Sequence, residues 1–162
     1  MARWEEVRAE APDLAAVVQA SFEAHLHKVI ATLRPDGSPR VSGNEARFAG
    51  GELWLGMMPD SVKARDLQRD ARFALHSAPA DPEMTGGDAK LSGRAIEIVD
   101  DETIAAFASG FEDERGSEVP EPFHLFRADV TEIVHTRLGS PADHLVVESW
   151  HEGRGVRRVE RR

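Results

Sequence analysis

The residues best suited to chemistry lie where a predicted strand passes into a short predicted helix. Ser61 follows Pro59 and Asp60, and Lys63 and Arg65 fall in the next turn and a half. Basic side chains oppose the helix dipole at an N-terminus, where acidic ones are preferred. A bound phosphate would remove that conflict, because backbone amides, a hydroxyl and an ammonium would converge on one anion. The pattern therefore indicates a phosphate site, while a surface helix with a serine cap and basic residues by chance is the alternative.

Other candidate groups have ordinary structural explanations. The seven histidines are scattered, with only His25 and His27 two apart, so the sequence predicts no metal site. His76 and Ser77 are adjacent in a predicted strand and point to opposite faces, which does not suit a nucleophile and its base. The absence of cysteine excludes thiolate catalysis and cysteine-bound metals. Trp150 is either a core residue or a stacking platform, and the sequence alone favours the core.

These groups must be positioned by a chain of short strands with a few helices. The turn at 35–38 and the pair Gly50-Gly51 separate β-rich runs, which predicts a three-stranded antiparallel meander. Asp13, Ser61 and Asp101 are the predicted helix caps. The predicted helices are 13–24, 62–69 and a segment from Asp101 that carries Ile104, Phe107 and Phe111, and the predicted strands are 28–34, 40–48, 53–57, 71–76, 89–99, 124–136 and 145–150. The segment 78–88 is predicted to be irregular because proline and glycine interrupt it.

The number of short strands decides the predicted fold class. A length of 162 residues suits a single domain, 1–162, with one closed core. Strands joined by tight turns predict a mainly β fold, an antiparallel barrel of six or seven strands with flanking helices. A parallel α/β sheet is disfavoured, because regular alternation of strands and helices is missing and no glycine-rich dinucleotide fingerprint follows a strand.

Composition and charge exclude several classes of partner. With 20 basic and 29 acidic residues the net charge is -9, which disfavours nucleic acid. No apolar run approaches the roughly 20 residues of a bilayer span, so we expect no membrane insertion. The acidic start and the lack of cysteine predict a cytoplasmic protein. Five of the nine residues at 154–162 are arginine. We interpret this tail as a solvated end or a partner for the acidic stretch 97–121, with an anionic ligand as the alternative.

Four segments, in order, resemble the pyridoxamine 5'-phosphate oxidase-like flavoproteins. Residues 31–40, ATLRPDGSPR, are similar to the first hairpin of that family. Residues 53–63, LWLGMMPDSVK, are similar to its third strand and phosphate loop. The segments 69–75 and 91–95 continue the match. The resemblance covers about 30–99 well and the remainder loosely.

The resemblance implies a split β-barrel that pairs as a homodimer and holds FMN, or a deazaflavin coenzyme, between its subunits. Haem is a less favoured cofactor. Ser61 and Lys63, joined by Arg40, would hold the phosphate, and Trp150 would approach the ring from the partner subunit. The cofactor-binding residues that the resemblance implies are Arg40, Ser42, Gly43, Gly56, Met57, Ser61, Lys63 and Trp150.

Departures from the family pattern bear on the substrate. The true oxidase carries arginine where this chain has Val62, its lysine for the substrate phosphate falls on Glu45, and its C-terminal Arg-x-His pattern is not evident. The resemblance therefore implies an FMN- or deazaflavin-dependent oxidoreductase that acts on a small organic substrate other than pyridoxamine phosphate. No catalytic residue is assigned. The alternative is a flavin- or haem-binding protein without turnover, for storage or sensing.

Overall fold

The structure is a computed structural model that describes residues 1–77, 85–116, 119 and 121–162. Strands dominate this part of the chain. The helices are α1 (Trp4–Glu10), α2 (Pro12–Glu23), α3 (Val62–Arg69) and α4 (Asp101–Arg115). The strands are β1 (Lys28–Leu33), β2 (Pro39–Ala49), β3 (Glu52–Met57), β4 (Arg72–His76), β5 (Asp88–Ile98), β6 (His124–Leu138), β7 (Leu145–His151) and β8 (Gly155–Arg161).

Six of these strands close into a barrel. They follow the order β3-β2-β1-β4-β5-β6, and every pairing is antiparallel. The barrel closes because β3 also pairs with β6, in a register that runs from Trp54 opposite Arg127 to Met57 opposite His124. The predicted mainly β fold, an antiparallel barrel with flanking helices, is confirmed.

Two glycine-containing turns fix the register of the first three strands. In the turn from β1 to β2 the Arg34 amide donates to the Ser38 carbonyl at 2.8 Å, and Gly37 has a φ of 82°. In the turn from β2 to β3, Gly50 and Gly51 have φ values of 60° and 80°. Left-handed backbone of this kind favours glycine, so the predicted meander forms where its turn residues allow it.

The arginine-rich tail is a strand, which the sequence did not predict. β8 pairs along β7, with Glu148 opposite Arg158 and Leu145 opposite Arg161. β7 in turn pairs with β6, so the last two strands extend the sheet beyond the barrel. Most side chains of β8 are exposed. The backbone of this tail is therefore paired with β7, while most of its side chains are exposed to solvent, as expected.

The caps of two helices differ from the predictions by one or two residues, and one helix was missed. α2 has Pro12 in its first turn and Ala11 at the N-cap, so Asp13 is not its cap. At α4 the cap is Asp100, not Asp101, because the Asp100 carboxylate accepts the Thr103 amide at 2.8 Å. Helix α1, which precedes the first predicted helix, was not expected.

The core contains large aromatic side chains from both ends of the sequence. Trp4, Trp150, Phe22 and Phe126 are all at most 1 % exposed. The Trp4 ring lies 4.7 Å from the Phe48 ring, and its indole N–H donates to Gln19 at 3.0 Å. Burial of each such side chain contributes about 1.5 to 3 kcal/mol. The two N-terminal helices are thereby fixed to the barrel.

Two further expectations concern loops and membranes. Most of the irregular loop expected at 78–88 lies outside the described residues, and β5 already begins at Asp88. In the described part of the chain, no helix combines the length and the apolarity that a membrane crossing requires.

Candidate functional site

A cavity of about 650 Å³ lies between the outer face of β2 and β3 and helix α4. Its volume falls within the range of small-molecule and cofactor sites. Its lining residues are His27, Gly43, Asn44, Glu45, Ala46, Arg47, Gly56, Met57, Met58, Lys63, Phe107, Phe111, Val119 and Phe123.

The cavity has a flat floor and an aromatic roof. Gly43 and Gly56 place bare backbone on the floor, and a Cβ at Gly43 would meet no atom within 4 Å. At Gly56 a Cβ would only touch the Phe107 ring, at 4.0 Å. Phe107 is 6.0 Å from the Phe123 ring and 6.3 Å from the Phe111 ring, centroid to centroid. The Phe107 ring therefore lies close over the floor at Gly56, while the floor at Gly43 is open.

Arg47 fixes the roof to the floor. Its guanidinium donates to the carbonyls of Gly110 at 2.7 Å and Phe107 at 3.4 Å, both on α4. The same group lies 5.5 Å from the centre of the Phe107 ring and 5.9 Å from that of Phe111, within cation–π range. A single β2 side chain therefore orients two of the three aromatic rings that line the cavity.

Lys63 places a positive charge in the cavity at the start of α3. Its ammonium donates to the Gly43 carbonyl, and burial lowers the pKa of the Lys63 side chain. Within the described residues, no carboxylate forms an ion pair with Lys63, and the first turn of α3 contains no acidic residue. Asp60, just before α3, adopts a φ of 58°, which is uncommon for a residue other than glycine. This turn and helix start would suit an anionic ligand.

A buried carboxylate attaches α3 to the barrel. Asp66, 1 % exposed, accepts hydrogen bonds from Thr32 of β1 at 2.9 Å, Arg40 of β2 at 2.7 Å and Arg69 of α3 at 2.9 Å. Burial acts to raise the pKa of the Asp66 carboxyl, but the three hydrogen bonds outweigh it, so this pKa lies below its ordinary value. Asp66 thus sets the position of the helix that carries Lys63.

A buried acceptor also borders the cavity. Asn44 is 4 % exposed, and its Oδ1 has no hydrogen-bond partner in the described part of the chain. Its amide nitrogen donates to the Glu45 carbonyl at 3.0 Å. Asn44 alternates with Gly43 and Glu45 along β2, so its side chain lies on the opposite face of the strand from the cavity floor. As for metals, the described residues contain no cluster of three or more His, Asp or Glu that could hold an ion.

Residues 14–137, most of the chain, match the family model of pyridoxamine 5'-phosphate oxidase. The chain belongs to the pyridoxamine 5'-phosphate oxidase family. The resemblance inferred from four sequence segments is confirmed. A comparison with curated protein sequences finds no significant match.

Solved structures share the fold of this family member at low sequence identity. ChuZ from Campylobacter jejuni superposes with a TM-score of 0.68 and 14 % identity over 91 % of this chain and 63 % of its own. A pyridoxamine 5'-phosphate oxidase-related, FMN-binding protein from Nostoc punctiforme has a TM-score of 0.62 and 15 % identity, with 96 % of each chain covered. An F420 reductase has a TM-score of 0.54 and 24 % identity over 71 % of this chain and 94 % of its own.

The structure brings together half of the predicted site residues. Gly43, Gly56, Met57 and Lys63 all line the cavity. Arg40, Ser42 and Ser61 do not line it. Arg40 is bonded to Asp66, Ser42 is opposite the buried Ile30, and Ser61 occupies the N-cap position of α3 without a side-chain capping bond. Their roles in cofactor binding stay predictions.

Trp150 requires a correction. Its side chain is 0 % exposed, and its indole N–H donates to Glu10 at 3.0 Å. A side chain enclosed in this way cannot reach a ring in a second subunit. The core assignment that the sequence favoured is the right one.

The roof of the cavity was missed at the sequence level. Phe107 and Phe111 were recognised only as the apolar face of a helix, and Phe123 and Arg47 were not singled out. Arg47 and Phe107 are 60 residues apart in sequence. No local spacing connects them, because their contact depends on where α4 returns to the barrel. The aromatic spacing on α4 was the available signal.

Because of the Asp66 carboxylate, the free energy of unfolding should vary with pH in the acidic range. The pKa of this carboxyl is lower in the folded protein than in the unfolded chain, where it is near 3.8. The ionised carboxylate therefore stabilises the folded state fully when the pH is above the pKa of the unfolded chain, and this stabilisation is lost as the pH falls through the pKa of the folded protein. We expect Asp66→Asn to lower the free energy of unfolding at pH 7 by about 2 to 3 kcal/mol. The difference between the two proteins should shrink as the pH falls from about 5 to 2.

Urea unfolding at a series of pH values measures this difference. Asp101→Asn is the control, since Asp101 is an exposed carboxylate in the first turn of α4. A constant difference between wild type and Asp66→Asn across the whole pH range would contradict the role given to Asp66.

Proposed function

We propose that the cavity holds FMN or a deazaflavin coenzyme and that the protein is an oxidoreductase for a small organic substrate. The observation that carries the proposal is that one cavity joins an apolar lining, which includes three phenylalanines, to the Lys63 ammonium. The apolar lining suits a ring system, and the ammonium has the charge that a phosphate needs. The FMN-binding protein and the F420 reductase of the same fold support this choice of cofactors.

The residues of the cavity fit both ends of such a cofactor. Lys63 and the first amides of α3 would hold the phosphate, with Arg40 and Ser61 as further donors. The ring would lie beside the backbone of Gly43, where an added Cβ would meet no atom within 4 Å.

The protein's part in the reaction is to bind, orient and exclude water. When bound, a flavin or deazaflavin supplies hydride transfer, and this needs no catalytic acid or base from the protein. Three phenylalanines shield the cavity from solvent on the side of α4: Phe107, Phe111 and Phe123. Arg47 keeps two of these rings in place. A cavity with fixed walls that excludes part of the water favours one orientation of the reacting groups.

A second copy of the chain would complete the site. We use the term outer sheet face for Val29, Ala31, Val41, Gly43 and Ala74, which neighbour one another across β2, β1 and β4. Val29 is 40 % and Val41 69 % exposed. Because Gly43 belongs both to this apolar face and to the cavity, a copy docked there would also cover a cavity edge. Two-fold homodimers are the commonest assemblies.

The first prediction of the proposal concerns the phosphate. Lys63→Ala should weaken FMN binding by about 10- to 150-fold, since it removes a charge-assisted contact worth roughly 1.5 to 3 kcal/mol. The loss should be much smaller for riboflavin, which has no phosphate. Titrations with FMN, riboflavin and a deazaflavin measure these affinities. Lys90→Ala is the matched control, because Lys90 is exposed and faces Asp88 at 3.5 Å. Equal FMN affinities for wild type and Lys63→Ala would contradict the phosphate site.

The second prediction concerns the dimer. We expect light scattering at micromolar concentration to give about twice the 17.8 kDa mass of the chain. Val41→Glu should shift the protein towards the monomer, because it places a charge on the apolar outer sheet face. Val99→Glu is the control, since Val99 is 80 % exposed and lies outside that face. A wild type of single-chain mass would exclude the dimer.

A further inference from the structure

The floor of the cavity carries charges in a defined order along β2. The Lys63 ammonium lies at the Gly43 carbonyl, Glu45 follows, and Arg47 comes next. Alternate residues of a strand share a face and are about 7 Å apart. Arg47 is engaged by α4, and Lys63 lies at the end assigned to the phosphate. Of the cavity-lining residues that the structure describes, Glu45 is the one that brings a carboxylate.

Glu45 lines the cavity next to the backbone of β3 and the Phe107 ring. It is paired in register with Gly56, and a Cβ added at Gly56 would be 4.0 Å from the Phe107 ring. On another side, His27 Nδ1 lies 3.9 Å from Glu45 Oε1. The Glu45 side chain is 43 % exposed, so its charge is neither buried in the barrel nor fully in solvent.

We propose that Glu45 selects the substrate, and that the substrate is a small cationic compound bound with its positive charge towards the Glu45 carboxylate. This inference rests on the proposed function, since it takes the Lys63 end of the cavity to be filled by the cofactor phosphate. A phosphorylated or carboxylated compound would meet a like charge at the same place.

The physical basis is the reduced solvent at the cavity wall. Two charges a few ångströms apart interact more strongly beside apolar groups than in bulk water. Phe107 and Phe123 supply that apolar surrounding. Attraction of a cation and repulsion of an anion both act on selectivity, because specificity is a difference between two affinities. The net charge of -9 also attracts cations and repels anions, at longer range.

Three probes with the same ring and different charges test the inference. The cation 1-methylnicotinamide, neutral nicotinamide and anionic nicotinate are titrated into the FMN-loaded protein, and the absorption change of the bound flavin gives each dissociation constant. We expect the cation to bind most tightly and the anion most weakly. Glu45→Gln, which keeps the shape and removes the charge, should reduce the ratio of cation to anion affinity by about tenfold.

Matched controls separate this inference from the proposed function. Glu132→Gln should leave the ratio unchanged, because Glu132 also faces a histidine, His151 at 3.2 Å, but lies outside the cavity. If FMN loads but the three probes bind equally, or the ratio is the same in Glu45→Gln, the assignment of Glu45 is overturned while the cofactor proposal stands. If neither FMN nor a deazaflavin loads, the proposed function fails. Calorimetric titration of the probes into unloaded protein then tests Glu45 directly, with the same two outcomes.

Discussion

The hydrogen bonds to the buried Asp66 carboxylate hold the candidate site together. A carboxylate that is 1 % exposed must be paired, and here its three donors come from β1, β2 and α3. Thr32 and Arg40 belong to the barrel wall, while Arg69 belongs to the same helix as Lys63. The placement of the Lys63 ammonium beside the Gly43 carbonyl therefore depends on an interaction that does not itself touch the cavity.

The cavity is assembled from parts of the chain with different physical roles. β2 and β3 provide a rigid floor, because each is hydrogen-bonded on both sides within the closed barrel. α4 provides the roof and is fixed to the floor through Arg47. Gly110 shows how close this contact is, since a Cβ there would come within 3.4 Å of the Arg47 guanidinium. The floor and the roof of the cavity are therefore held together by contacts within the chain itself.

Local sequence signals predicted the barrel strands and part of the site. The Gly37 and Gly50-Gly51 turns and the alternation in β3 were enough for the meander, and Ser61 with Lys63 indicated the helix start that borders the cavity. Long-range packing was beyond such signals. The strand β8 was missed because an arginine-rich segment gives no apolar alternation. The aromatic roof was missed because α4 meets β2 only through the tertiary fold.

The nature of the bound chromophore tests the central claim most directly. The protein is expressed in a host that makes both FMN and a deazaflavin coenzyme, purified without added cofactor and denatured, and the released ligand is examined by absorption and mass spectrometry. We expect a flavin or deazaflavin ring with a phosphate-containing mass, at up to one molecule per chain. Release of haem, or the absence of a chromophore together with no binding of added FMN or deazaflavin, would contradict the claim.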